Sequence, residues 1–313
     1  MSEATMQDVK VTVASLRSIL IDPQRNLELV REACAVAQRD GARMLFLPEL
    51  MLTGHGGHPK ITENAEPVPD GPLSSEIVRM SREANLCIVT GIAELDQNVV
   101  YNSMIVVDRG ELLGVQRKVN MSSDEYLWFG TGETVECFDL GEVRFGVIIC
   151  YDNHFPELAM ACALQGADLL LGPHAARSGL WPDELTAEFK KTLISKQQEN
   201  WRQVHSTRAF DHNLYVLLNN AVGSSVEGLA ELEEYGAFGP GGVDPRRVVA
   251  NHSGTLMGFD PEGQTILEST VEDLVDEIVT VELKCDGRQV NHGPTMNRRR
   301  NTMLEILINA AEG

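Results

Sequence analysis

The segment VRFGVIICYDNHFPELA (143–159) decides how this chain is read. Its first half is a run of apolar, largely β-branched residues, the pattern of a strand covered on both faces of a sheet. Pro156 suits the first turn of a helix, and PELAMACALQG (156–166) continues as one. Cys150 stands between the two, at the strand end and close to a helix N-terminus. The positive end of a helix favours the thiolate, the reactive form of cysteine. The turn YDNHF also offers backbone N–H groups to an oxyanion. For this residue alone, a buried core cysteine is the competing reading.

The same alternation runs outward in both directions. Upstream, VKVTVASL (9–16) reads as a strand, and residues 26–39 place Leu27, Val30, Ala33, Cys34 and Val36–Ala37 at helical spacing. Asp22-Pro23 opens that helix and Gly41 closes it, before ARMLFLPE (42–49) forms a second buried strand. Residues 53–72 read as a Gly- and Pro-rich loop, SSEIVRMSREAN (74–85) as a helix and LCIVTGIAEL (86–95) as a strand. VVYNSMIVVDRGELLGVQRK (99–118) reads as a hairpin turning at Asp108-Arg109-Gly110. An irregular stretch, 119–135, and the strand CFDL (137–140) follow.

Downstream come a strand (ADLLLGPHA, 167–175), a long helical region (183–212), a strand (NLYVLLNNAVG, 213–223) and a hairpin (SGTLMGFD…QTILEST) turning at Asp260-Pro261-Glu262-Gly263. Residues 223–252 form a Gly- and Glu-rich insertion without periodicity, and connections this long are uncommon unless functional or mobile. No linker composition interrupts the chain. Residues 1–313 therefore read as one α/β domain of mixed sheets flanked by helices.

Composition narrows the function classes. The 313 residues are 43% hydrophobic and 23% charged, with a formal charge of −20. That charge argues against nucleic acid or an anionic membrane surface as partner, and is otherwise the mark of a soluble or salt-tolerant surface. No run approaches the roughly 18 apolar residues of a membrane span, and the polar start MSEATMQDVK lacks a secretory core, which points to the cytoplasm. The six cysteines (34, 87, 137, 150, 162 and 285) contain no CxxC pair, against a disulfide framework or zinc knuckle. The basic run Arg298–Arg300 reads as a solvated or interface segment.

Two further residues carry chemistry. Glu49 ends the apolar run LFLPE, partly withdrawn from water, as suits a general base; a carboxylate rimming a loop is the alternative. Lys118 closes a hairpin strand in RKVNM, where a solvated surface lysine is the plain reading. A hydrolase attacking an amide, however, needs a fixed cation where the tetrahedral oxyanion develops.

Together these segments resemble the nitrilase superfamily of carbon–nitrogen hydrolases. The resemblance rests on LFLPELMLTGH around Glu49, RKVNM around Lys118 and GVIICYDNHFPELA around Cys150, with flanking segments in family order over nearly the whole chain. It implies a four-layer αββα sandwich, paired into a homodimer or larger homo-oligomer, with a C-terminal segment (about 285–313) available for subunit contacts. It implies Cys150 as nucleophile, Glu49 as base and Lys118 as cationic partner. Family members keep a second glutamate shortly after the lysine, and Glu125 in DEYLWFGTGE matches better than Asp124 or Glu133. The implied mechanism runs through a cysteine thioester and needs no metal or organic cofactor. The histidines show no ligand spacing, and His55 and His58 are expected in a pocket loop.

The substrate is narrowed by departures from family patterns. True nitrilases usually follow the cysteine with Trp-Glu, where this chain has Tyr151-Asp152. Hydrolases of N-carbamoyl amino acids carry arginine just after the cysteine, where this chain has Asn153 and His154. What remains is hydrolysis of a small carboxamide or a carbamoylated amine by water. Tyr151, Asn153, His174 and Trp181 are the expected substrate-binding residues. Two rivals stay open: a soluble acyltransferase using the same thioester, which lacks a visible phosphate-binding Gly loop, and an idle scaffold, which has no need of Glu49, Lys118 and Cys150 together.

Overall fold

A computed structural model describes residues 7–20, 22–55, 60–182, 187–224, 248–269, 275–284 and 302–312. The first half of the chain supplies β1 (Val9–Ser15), α1 (Pro23–Arg39), β2 (Met44–Phe46), the single turn α2 (Lys60–Glu63), α3 (Pro72–Ala84), β3 (Cys87–Asp96), β4 (Val99–Asp108) and β5 (Glu111–Arg117). The second supplies β6 (Cys137–Asp139), β7 (Arg144–Val147), α4 (Pro156–Leu164), β8 (Leu169–His174), β9 (Arg177–Pro182), α5 (Ala187–His212), β10 (Tyr215–Ser224), β11 (Val248–Phe259) and β12 (Thr265–Glu268). β13 (Glu277–Leu283) and α6 (Thr302–Glu312) close it.

Two mixed sheets result. One runs β13-β1-β2-β3-β4-β5, with β1, β2 and β3 parallel and both edges antiparallel. The other runs β12-β11-β10-β8-β7-β6, again with a parallel centre (β7, β8, β10), and β9 pairs with β11. Parallel neighbours need crossovers, and α1, α3, α4 and α5 are those crossovers.

Side-chain parity then makes the layers. Val9, Val11, Val13, Met44 and Phe46 meet Phe145, Val147, Leu169, Leu171 and Leu217 in a core between the sheets. The intervening Leu45 packs outward with Leu27, Val30 and Ile77 of α1 and α3. On the far side Leu170, Val216 and Leu218 pack against Ala159, Cys162 and Trp201 of α4 and α5. Helix, sheet, sheet, helix is the αββα sandwich expected.

α1 starts as read: Asp22 accepts from the Arg25 N–H at 3.0 Å, and Pro23 takes the first helical position. Differences from the sequence reading are local. The loop 53–72 contains α2, and β9, β13 and α6 are elements that the sequence reading does not assign. Strand β7 stops pairing at Val147, so Cys150 does not end a strand; it opens a 3-10 turn, Cys150–His154, with φ +49°. Residues 225–247 of the expected insertion, and 285–301 of the C-terminal segment, lie outside the described residues.

One close approach places the first catalytic candidate. Gly91 of β3 accepts from Leu52 N–H (3.0 Å) and donates to Pro48 C=O (3.2 Å), so the chain after β2 lies flat on it. A Cβ on Gly91 would sit 2.0 Å from Leu50 N and 2.6 Å from the Glu49 carbonyl carbon. Those are backbone atoms and cannot swing aside. Gly91→Ala is therefore expected to destabilise the fold by about 1–3 kcal/mol, as overpacking does, and to lower turnover by moving Glu49. Thermal melts and kcat measured together check this; unchanged values in both would show that the Glu49 turn does not rest on β3.

Candidate active site

Four acidic, basic or nucleophilic side chains meet at one end of the sheets. Glu49 follows β2, fixed by Leu47 N–H on Val89 C=O (2.9 Å) and by Leu50 in the left-handed region at φ +51°. Leu50 C=O accepts from the Ser18 hydroxyl at 2.8 Å, which holds the turn open. Lys118 follows β5, its N–H on Asn102 C=O and its C=O taken by Gly132 N–H. Glu125 lies in a 3-10 turn, Ser123–Leu127, where Ser122 and Glu125 cap each other: Ser122 N–H and Oγ–H donate to Glu125 Oε2 at 2.8 and 2.7 Å. That reciprocal bond orients Glu125 inward.

Lys118 Nζ donates to Glu49 Oε1 at 2.7 Å and to Glu125 Oε1 and Oε2 at 2.7 and 2.8 Å. All three side chains are buried, and Asn102 Nδ2 bridges the carboxylates at 2.7 and 3.1 Å. The Ala175 N–H gives Glu49 Oε2 a further bond at 2.7 Å. Burial works against the Lys118 charge, but Glu49, Cys150 and Glu125 outweigh it and hold the ammonium well above its ordinary range. Burial likewise works against Glu125, yet Lys118 and Ser122 keep it ionised.

Cys150 faces this cluster, half-buried. Its backbone is clamped by Asn153, whose Nδ2 donates to Ile148 C=O (2.7 Å) and Cys150 C=O (3.1 Å). Asp152 ties the same turn to the Lys118 segment, accepting from Val119 N–H (3.1 Å), Asn120 N–H (2.6 Å) and Asn120 Nδ2 (2.9 Å). The thiol departs from the sequence reading, in which a helix N-terminus lowers its pKa. Burial pushes it up, the negative charge of the Glu49 carboxylate pushes it further, and Lys118 only partly opposes them. The resting form is the protonated thiol beside a carboxylate.

The four groups line a cavity of about 330 Å³, a size suited to a small molecule. Tyr151, 40% exposed, and His174, buried, also line it, as does His55 from the loop after β2. Asn153 does not: its amide serves the Cys150 turn. The Trp181 side chain and all of His58 lie outside the described residues. The sequence reading missed Asn102, whose only signal is a polar residue at a buried strand position, and Asp152. It also missed Trp201 and Gln197, which α5 brings to the cavity from far along the chain with no local signal. Among the described residues no group of three His, Cys, Asp or Glu side chains is placed to hold a metal ion, and no helix is long and apolar enough to cross a membrane.

Comparison with known proteins agrees with this architecture. The carbon-nitrogen hydrolase family profile matches residues 10–284. A nitrilase from Pyrococcus abyssi is 33% identical over 168 residues, 53% of this chain and 64% of that protein. An N-carbamoylputrescine amidase from Solanum lycopersicum is 28% identical over 72% of this chain and 77% of its own. In fold, the crystal structure of a carbon-nitrogen hydrolase from Helicobacter pylori G27 superposes with a TM-score of 0.77 at 18% identity, covering 96% of this chain and 98% of that one. With the profile running from β1 through β13 across both sheets, the chain belongs to the carbon-nitrogen hydrolase family of the nitrilase superfamily, enzymes acting on carbon–nitrogen bonds other than peptide bonds.

Proposed function

We propose that this enzyme hydrolyses a small linear amide through a Cys150 thioester, releasing ammonia or an amine. One observation carries the reading: a cysteine and a buried carboxylate, the latter held by a buried ammonium, open together on one cavity. A thiol, a base and a fixed cation are what acyl transfer from nitrogen to sulfur to water requires.

The steps follow from the geometry. Glu49 takes the Cys150 proton as Sγ bonds to the carbonyl carbon and the carbonyl electron pair moves to oxygen. Lys118 and the N–H of Tyr151 hold that oxyanion. In the resting site all three Lys118 N–H bonds are taken by carboxylate oxygens, so Lys118 exchanges one of its two bonds to Glu125 for the oxyanion. The oxyanion collapses, the carbon–nitrogen bond breaks, and Glu49 gives its proton to the leaving nitrogen. Glu49 then removes a proton from water, hydroxide attacks the thioester, and sulfur leaves to recover that proton. Glu49 begins and ends as a carboxylate.

We infer also that the chain works as a homodimer or larger assembly, as the family resemblance implies. Light scattering that gives a single-chain mass at micromolar concentration would contradict this.

Two outcomes test the chemistry. Cys150→Ala is expected to reduce ammonia or amine release, across a panel of carboxamides and carbamoylated amines, to background with the melting curve intact; retained turnover would remove Cys150 as nucleophile. Glu49→Gln separates acidity from catalysis. Since Glu49 raises the thiol pKa, its neutralisation shifts the pH midpoint of Cys150 alkylation by a small neutral reagent downward. Turnover falls all the same, by about 10²–10⁴-fold, because the base is gone. An upward or unmoved midpoint would break the proposed coupling of the two side chains.

A further inference from the structure

The cavity has a second polar feature that the proposed steps leave unused. His174, at the end of β8, lines the wall next to Ala175, whose N–H holds Glu49. Behind it lies His205 of α5, with Nε2 to Nε2 at 3.2 Å and the rings edge to face. Both rings are buried, at 2% and 0% exposure. Trp201 covers His174, with ring centroids 4.9 Å apart. Gly172 makes the room: a Cβ there would stand 3.1 Å from His205 Cε1. The fold has built a place for two imidazoles.

Proton counting defines what the pair can do. Burial keeps both rings neutral, with His205 pushed down to about 3 and further disfavoured as a cation by Arg208 and His154. Two neutral imidazoles carry two ring N–H protons, and one of them must lie in the Nε2···Nε2 contact. The other sits on one of the two Nδ1 atoms. If His174 Nε2 donates, His174 Nδ1 is an acceptor; if His205 Nε2 donates, His174 Nδ1–H is a donor. Both Nδ1 atoms are buried and have no hydrogen-bond partner among the described residues. A buried polar atom without a partner is costly; the His174 ring lines the cavity, so a ligand bound there is the group that can come to it.

We propose that His174 is the specificity-determining residue of this site: its Nδ1 hydrogen-bonds an uncharged polar group next to the scissile carbonyl, and His205 positions it. The inference rests on the hydrolase reading above. The substrates it favours carry a ureido N–H, as in a carbamoylated amine, or a hydroxyl on the carbon beside the carbonyl. A plain carboxamide, with CH2 in that place, leaves Nδ1 unpaired and is disfavoured.

The test compares kcat/KM for a matched set: an alkylurea, a 2-hydroxyalkanamide and the plain alkanamide of equal length. Intrinsic reactivities cancel when each ratio is compared between wild type and variant. His174→Phe is expected to reduce the polar-to-plain ratio about ten- to hundredfold, the size of a lost hydrogen bond to a buried partner. His174→Asn, which keeps a polar atom near the Nδ1 position, restores part of it. His205→Leu raises KM for the polar substrates and leaves kcat unchanged, whereas His205→Gln recovers KM.

Melting curves and Cys150 alkylation at the wild-type rate establish that each variant keeps its site. An unchanged ratio in His174→Phe, with Cys150-dependent release intact, overturns the specificity role alone. Absence of Cys150-dependent release from every member overturns the hydrolase reading and this inference with it.

Discussion

The rest of the site depends on the ammonium of Lys118, which is enclosed between two carboxylates and away from water. Removing three charges from water is expensive, and only short, well-directed contacts make the arrangement tolerable. Here each charge is answered at least twice. Lys118 spends its three protons on Glu49 and Glu125, Glu49 gains Asn102 and the Ala175 N–H, and Glu125 gains Asn102 and Ser122. Those partners come from the ends of β2, β5 and β8, from within β4 and from the turn after Ser122, so the charge cluster joins the two sheets. Taking away Lys118 would leave two buried carboxylates facing each other, which is why the lysine is as much a structural requirement as a chemical one.

The two side chains that exchange a proton in the proposed mechanism sit on strained turns. Leu50, just after Glu49, and Cys150 itself both lie in the left-handed region, where a side chain costs about 1–2 kcal/mol. The surroundings enforce both. Gly91 and Ser18 hold the first turn; Asn153 and Asp152 hold the second, and Asp152 does so by gripping the segment that carries Lys118. Cys150 and Lys118 are therefore one mechanical unit. Asn153 and Asp152 act on chemistry only through the position of Cys150.

What the sequence revealed, and what it hid, follows the range of each interaction. The β1–α1–β2 unit was legible because Asp22-Pro23 caps a helix locally and the apolar spacing of Leu27, Val30 and Ala33 is a local pattern. Glu125 could be preferred to its acidic neighbours only through the resemblance, and the physical reason, a reciprocal cap with Ser122 three residues away, is visible in the fold. The place of β13 in the sheet is not legible because its partner β1 lies at the other end of the chain, although Val279, Val281 and Leu283 alternate toward the core. Asn153 was read as a pocket residue since polarity beside a cysteine does not say which way an amide points. The Cys150 pKa went the other way because a helix N-terminus is a local feature, whereas burial and the Glu49 charge are properties of the assembled site.

The cavity lining combines groups of different electrical character. Two carboxylates and an ammonium carry fixed charge, whereas burial keeps His174 neutral, as it does His205 behind it, and pushes His55 toward its neutral form. Neutral imidazoles place no second cation beside Lys118. In the proposed mechanism, proton transfer then runs among Cys150, Glu49, water and the leaving nitrogen. The histidines can contribute directional hydrogen bonds without entering that cycle, which separates recognition of the substrate from cleavage of its bond within one small cavity.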